Sequence, residues 1–156
     1  MLFDLLTQEE EEKDAVNVEY RFNIPLLAER LLGATQWLRN DPQTKKLAFG
    51  YFGASTGAAA ALIAAAKLPK DVVVVVSRGG RPDLAGDYLK NVAAPTLLLV
   101  GGLDTEVIEL NKEAMAQMKA EKKLVIVPGA THLFEESGTL EEVAKISTEW
   151  FLRHLC

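Results

Sequence analysis

The sequence predicts an α/β domain built in three layers, with a mostly parallel sheet between helices. Three observations carry that expectation. Four short segments dense in β-branched or large apolar residues, Lys46 to Phe52, Val72 to Ser77, Thr96 to Val100 and Leu124 to Val127, have the length and composition of strands buried on both faces. The segments between them carry apolar residues at helical spacing, and strands alternating with helices imply right-handed crossovers and a parallel sheet. The first of these strands runs into a glycine-flanked turn, Gly53-Ala54-Ser55-Thr56-Gly57, which opens a helix.

Taken in order, Met1 to Leu6 reads as a short strand with no preceding helix to bring it into the sheet. Glu9 to Glu12, with Lys13 and Asp14, reads as a solvated acidic loop. Ile24, Leu27, Leu31, Ala34 and Leu38 then recur at three and four, with Asn23 as a cap, Pro25 in the first turn and Asp41-Pro42 as a stop, which makes one amphipathic helix. Thr56 to Lys67 is mostly alanine around Leu62 and Ile63, strongly helix-forming and thin enough to lie close against a sheet as a central buried helix. Thr105 to Ala120 carries Val107, Ile108, Leu110, Met115 and Met118. Thr139-x-x-Glu142 is a capping-box signature ahead of Val143, Ile146, Trp150 and Phe151, so two covering helices are expected. The methionines and tryptophans stand at helical spacing and serve packing rather than a cofactor. No repeat, linker or second domain interrupts residues 1–156.

Composition narrows the function. At 156 residues and 17.1 kDa, with 49% hydrophobic and 25% charged residues, the chain suits one packed domain and excludes a disordered or collagen-like protein. Lys and Arg number 17 against 22 Asp and Glu, a net charge of −5, so no nucleic-acid partner is expected. The longest apolar runs, Ala58 to Ala66 and Val72 to Val76, fall far short of the roughly 18 residues of a membrane helix. Met1 to Leu6 has no basic region and runs into acids, unlike a secretory signal. The one cysteine, Cys156, is the last residue, which excludes an intrachain disulfide and a cysteine zinc site. A cytoplasmic protein without metal or cofactor is the expectation.

The chemistry centres on Ser55. A Gly-x-Ser-x-Gly turn between strand and helix lifts the serine hydroxyl clear of the sheet edge and turns the first helical N–H groups toward a developing oxyanion. The alternative is a glycine-bracketed turn in which Ser55 merely caps the helix. A serine needs a base, and the base an orienting acid. Asp104 follows the third strand through Gly101-Gly102-Leu103, and His132 follows the fourth through Pro128-Gly129-Ala130-Thr131. In a parallel sheet those strand ends share one edge, so Ser55, Asp104 and His132 can meet in one crevice. Taken singly, Asp104 is a helix cap and His132 a loop histidine; together after three strands they suggest a triad. Glu106 is the nearby stand-in for the acid, and His154, in the last turn of the last helix, is structural.

With these motifs, Gly53-Ala54-Ser55-Thr56-Gly57, Gly102-Leu103-Asp104-Thr105-Glu106-Val107 and Gly129-Ala130-Thr131-His132-Leu133-Phe134, the chain resembles the α/β-hydrolase superfamily, and within it the small esterases similar to dienelactone hydrolase. The resemblance implies Ser55 as nucleophile, His132 as general base and acid, Asp104 as orienting carboxylate, and the Thr56 backbone N–H as an oxyanion donor. Dienelactone hydrolases proper carry cysteine at the elbow, so Ser55 favours a small, simple carboxylic ester as substrate. Nothing matches the family's His-Gly-type loop, the source of a second oxyanion donor, nor its first strands, so a shortened α/β-hydrolase fold is expected. Loss of the strand beside Lys46 to Phe52 would leave that strand with a free edge, and a homodimer with the N-terminal segment at or near the interface follows as an expectation.

Two other classes compete. Gly53 to Gly57, with Ser77-Arg78-Gly79-Gly80-Arg81 after the next strand, resembles an NADP-binding Rossmann turn, although Ser55 and Ala58 stand where its second and third glycines belong. Arg78 and Arg81 read as loop charges or as contacts for an acidic substrate. The third class is a catalytically silent binding protein on the hydrolase fold.

Overall fold

The computed structural model describes residues 1–155, and the cysteine at 156 lies outside the described residues. Four strands, β1 (Phe49–Ala54), β2 (Val72–Arg78), β3 (Thr96–Gly101) and β4 (Lys122–Val127), form one parallel sheet in the order β1-β2-β3-β4. Helices α1 (Gln8–Asn17), α2 (Ile24–Asn40), α3 (Thr56–Lys67), α4 (Thr105–Gln117) and α5 (Thr139–Leu155) surround it, with a 3-10 segment over Pro82–Asn91. The α/β class, the parallel sheet and the three-layer arrangement are those expected.

The sequential strand order explains the layering. Right-handed crossovers between successive neighbours all fall on one side of the sheet, which places α3, the 3-10 segment and α4 together. They pack there with α2 around Leu62, Val75, Leu89 and Met118. The opposite face is left to α5, whose Val143 and Trp150 cover Val74, Val76, Leu97 and Leu99. The alternation of Val74, Val75 and Val76 between the two cores is the period-two pattern of a strand covered on both sides. Residues Ala58 to Ala65 of α3 are all buried, and their small side chains let the helix axis approach the sheet. At the start of that helix the approach is closest: a side-chain carbon at Gly53 would fall 2.6 Å from the Gly57 carbonyl oxygen, a separation only glycine permits.

Several expectations are corrected. β1 begins at Phe49, not Lys46, because Thr44 to Leu47 closes a turn through the Leu47 N–H and the Thr44 carbonyl. Only β2 and β3 are covered on both faces. β1 and β4 are the sheet edges, and Phe52 and Ile126 stand about half exposed. Met1 to Leu6 forms no strand: the Leu5 carbonyl accepts a bond from Arg30 on α2, and Leu2 is fully exposed. At Thr139 the capping signature is not realised, since its hydroxyl donates back to the carbonyls of Phe134 and Glu136.

The acidic run is helical rather than loop. Thr7 caps α1 with a reciprocal pair, its side chain accepting from the Glu10 N–H while the Glu10 carboxylate accepts from the Thr7 N–H. Glu9, Glu10 and Glu11 lie in the first turn, where the helix dipole favours negative charge. Both oxygens of Glu10 also accept from Arg30, at 2.5 and 2.6 Å. The Arg30 hydrogen bond, followed by that from the Thr7 backbone, holds the Glu10 carboxyl down at about 2. A carboxyl with a lowered folded-state pKa stabilises fully above its unfolded value and loses that contribution as pH falls toward the folded one. The docking of α1 on α2 is therefore expected to weaken between the ordinary glutamate range and about pH 2. Amide hydrogen exchange of α1 as a function of pH checks this; protection unchanged down to pH 2 would contradict it.

Candidate active site

Three strand ends build the site. Ser55 follows β1 with φ +50 and ψ −125, a backbone conformation that side chains disfavour and that costs about 1–3 kcal/mol. Its side chain makes no capping bond to α3, so the reading of Ser55 as a simple helix cap is overturned. The backbone around it is pinned instead. The Ser55 N–H donates to the Arg78 carbonyl at 3.3 Å, and its carbonyl accepts from Arg81 at 3.0 Å and from Ala58 at 3.2 Å. The N–H of Thr56, the first residue of α3, is one of the helix-start donors that no intrahelical carbonyl reaches.

The other two residues meet directly. His132 Nδ1 lies 2.7 Å from Asp104 Oδ2, with the carboxylate mostly buried and the ring about 40% exposed. An ionised carboxylate only accepts, so the neutral ring carries its proton on Nδ1 and keeps the Nε2 lone pair. The two loops are tied to each other by the Gly102 N–H on the Val127 carbonyl and the Leu103 N–H on the Ala130 carbonyl. Asp104 caps nothing with its side chain, and Glu106 is exposed and takes no part.

Ser55 and His132 flank the same stretch of backbone. A side-chain carbon on Gly79, the residue after Arg78, would fall 3.7 Å from His132 Cε1. Among the described residues, no hydrogen bond joins the Ser55 hydroxyl to the ring; the paired elements are Asp104 and His132. Beside Ser55 opens a groove of about 670 Å³, lined by Ala54, Thr56, Arg78, the edge of β1 and Met1 to Leu6.

Sequence reading missed two supports of the histidine loop. Glu136 accepts the Thr131 N–H, and the Thr131 side chain first, then the backbone N–H groups of Glu136 and Thr131, hold its carboxyl below the usual glutamate range. Phe134, wholly buried, takes φ +58, a turn no apolar side chain advertises. Arg81, read as a loop charge or a contact for an acidic substrate, forms a two-pronged pair with Asp83. His154 packs on Trp150 with ring centroids 4.5 Å apart, a structural role as expected. Among the described residues no cluster of His, Cys, Asp and Glu is arranged to hold a metal ion, and no helix is long and apolar enough to cross a membrane.

A serine at a strand-to-helix turn, a paired histidine and aspartate, and a parallel sheet with all three at one edge are the layout of an α/β-hydrolase fold. The model of the Dienelactone hydrolase family matches residues 7–153, and the chain belongs to that family. A crystal structure of dienelactone hydrolase from Anabaena variabilis is 57% identical, with a TM-score of 0.93, over 98% of this chain and 71% of that one. The esterase domain of a Rhodothermus marinus protein shares the fold, with a TM-score of 0.71 at 22% identity, over 83% of this chain and 69% of that one. A Mycobacterium tuberculosis protein provisionally named a phosphoribosyl transferase is 60% identical over 156 residues. Those residues are all of this chain and 34% of that protein, so the chain spans about a third of the curated relatives it matches.

Proposed function

We propose that the chain is a serine esterase acting on small carboxylic esters through Ser55, His132 and Asp104. The observation that carries the reading is the strained Ser55 backbone, whose hydroxyl serves no cap and stands free at the sheet edge. In the reaction, Ser55 Oγ bonds to the acyl carbon while His132 Nε2 takes its proton. The ester C–O bond breaks and the alcohol leaves with that proton. Water, deprotonated by the same nitrogen, then releases the acid and restores Ser55. The Thr56 N–H faces the oxyanion as first donor, in keeping with its position at the start of α3. Hydrolysis of p-nitrophenyl acetate above buffer background tests the reading; a rate equal to buffer would count against it.

A second proposal concerns assembly, and the unpaired edge of β1 favours it. An edge strand can pair antiparallel with its own copy about a two-fold axis, forming one sheet across two chains and covering Phe52. In such a homodimer a partner backbone N–H serves as the second oxyanion donor, a group worth about 10²- to 10³-fold in rate. Sedimentation equilibrium at micromolar concentration is expected to show a dimer whose turnover per chain falls on dilution. A fully active monomer would contradict it.

A further inference from the structure

Asn111 stands where the helical pattern calls for an apolar side chain. On α4 it shares a face with Val107, Ile108 and Ala114, all buried, and it is itself wholly buried. A buried amide costs stability where its groups go unpaired, and Oδ1 of Asn111 has no hydrogen-bond partner among the described residues. Leucine would suit the packing of the helix better, so the use of the residue lies in the other half of its amide.

Both hydrogens of that half are committed. Nδ2 donates to the Val107 carbonyl, one turn back on α4, at 2.8 Å and to the Gly80 carbonyl at 3.0 Å. Gly80 lies on the loop between β2 and the 3-10 segment, and this loop grips Ser55 from both sides. The Arg78 carbonyl accepts the Ser55 N–H, and the Arg81 N–H donates to the Ser55 carbonyl. Between them, the Gly79 N–H donates to the Leu99 carbonyl at 2.7 Å. Gly80 has no slack beneath it either. A side-chain carbon there would fall 2.0 Å from Ser77 Oγ and 2.6 Å from Ala58 Cβ, so the loop backbone rests directly on β2 and on the first turn of α3.

We propose that Asn111 is a positioning residue for Ser55: through Gly80, its amide fixes the loop that holds the serine in its strained backbone conformation. A non-glycine residue at φ +50 persists only where its surroundings over-determine it, and the loop tied to α4 supplies that constraint. Release of Gly80 lets the turn relax and moves Ser55 Oγ, and a misplacement on the order of 1 Å costs about 100-fold in rate. That the positioned group is a nucleophile rests on the esterase reading; that Asn111 fixes the Ser55 backbone does not.

The test uses Asn111→Leu and Asn111→Ala, which both remove the donor but differ in the volume they fill. Fluorophosphonate labelling of Ser55 is followed well below the unfolding temperature, and its limiting rate is separated from the probe concentration that gives half that rate. Both variants should lose about 10- to 100-fold in limiting rate with the half-saturating concentration unchanged, and by similar factors whatever their Tm. A packing role would instead lower Tm, most in Asn111→Ala, and leave the folded chain labelled at the native rate; that result would overturn the proposal. If the native chain takes no label, the esterase reading fails separately, and amide hydrogen exchange decides. The Ser55 and Arg81 N–H groups should exchange about tenfold faster or more in each variant that folds, with β3 as protected as in the native chain. Exchange of those two amides at the native rate would overturn the proposal.

Discussion

Ser55→Ala is expected to reduce ester turnover by about 10⁴-fold or more, and His132→Ala by a similar factor. The double variant should be scarcely worse than either single one. The reason is mechanical: without Ser55 Oγ there is no bond to form, and without His132 Nε2 the hydroxyl keeps its proton, so either loss stops the same step. The Ser55 change removes only a hydroxyl that makes no capping bond, and α3 should fold unaltered. Thermal unfolding of Ser55→Ala should match that of the native chain, which separates a lost nucleophile from a lost fold. Losses that multiply in the double variant would show that the two residues act independently and would contradict the triad.

Asp104→Asn should be nearly as damaging, by about 10³- to 10⁴-fold in kcat. The carboxylate accepts from His132 Nδ1 at 2.7 Å and thereby fixes the proton on that nitrogen. An amide can present its NH₂ to the ring instead, which favours the tautomer with Nδ1 unprotonated and Nε2 occupied, the wrong one for a base facing Ser55. Because the substitution keeps the size of the side chain, KM for a neutral ester should change little while kcat falls. The loss should persist at alkaline pH, since the fault is in the position of a proton and not in its number. Recovery of the native rate at high pH would show that Asp104 acts only as a nearby charge.

The parts of the fold legible in the sequence were those that local pattern determines. Val72 to Ser77 and Thr96 to Val100 read as doubly covered strands and are so, because an unbroken apolar run has no other stable place. Phe49 to Ala54 and Lys122 to Val127 are equally strand-like, yet they are edges; position within a sheet depends on pairing, which composition does not encode. The helix at Gln8–Asn17 was signalled by Thr7-x-x-Glu10, but the run of acids reads as solvated until Arg30, far along the chain, is seen to grip Glu10. Met1 to Leu6 misleads in the opposite direction, with strand-like residues and no partner to pair with.

The site follows the same division. Ser55, Asp104 and His132 follow β1, β3 and β4 of one parallel sheet, so topology puts all three at the same sheet edge, and the structure joins Asp104 to His132. Arg78 read as a loop charge or as a contact for an acidic substrate, and only the folded chain shows that the other arginines each pair with a carboxylate.

The central claim is that Ser55 is an activated nucleophile. A fluorophosphonate reacts covalently with a serine whose proton is taken by a neighbouring base and scarcely at all with an ordinary hydroxyl, so it reports activation without knowledge of the substrate. Mass spectrometry after incubation of the native chain, read beside Ser55→Ala and His132→Ala, is the direct measurement. The account predicts one phosphonyl group per chain, located on the peptide that contains Ser55, absent from Ser55→Ala and strongly reduced in His132→Ala. No adduct on the native chain, or an equal adduct on His132→Ala, would contradict it.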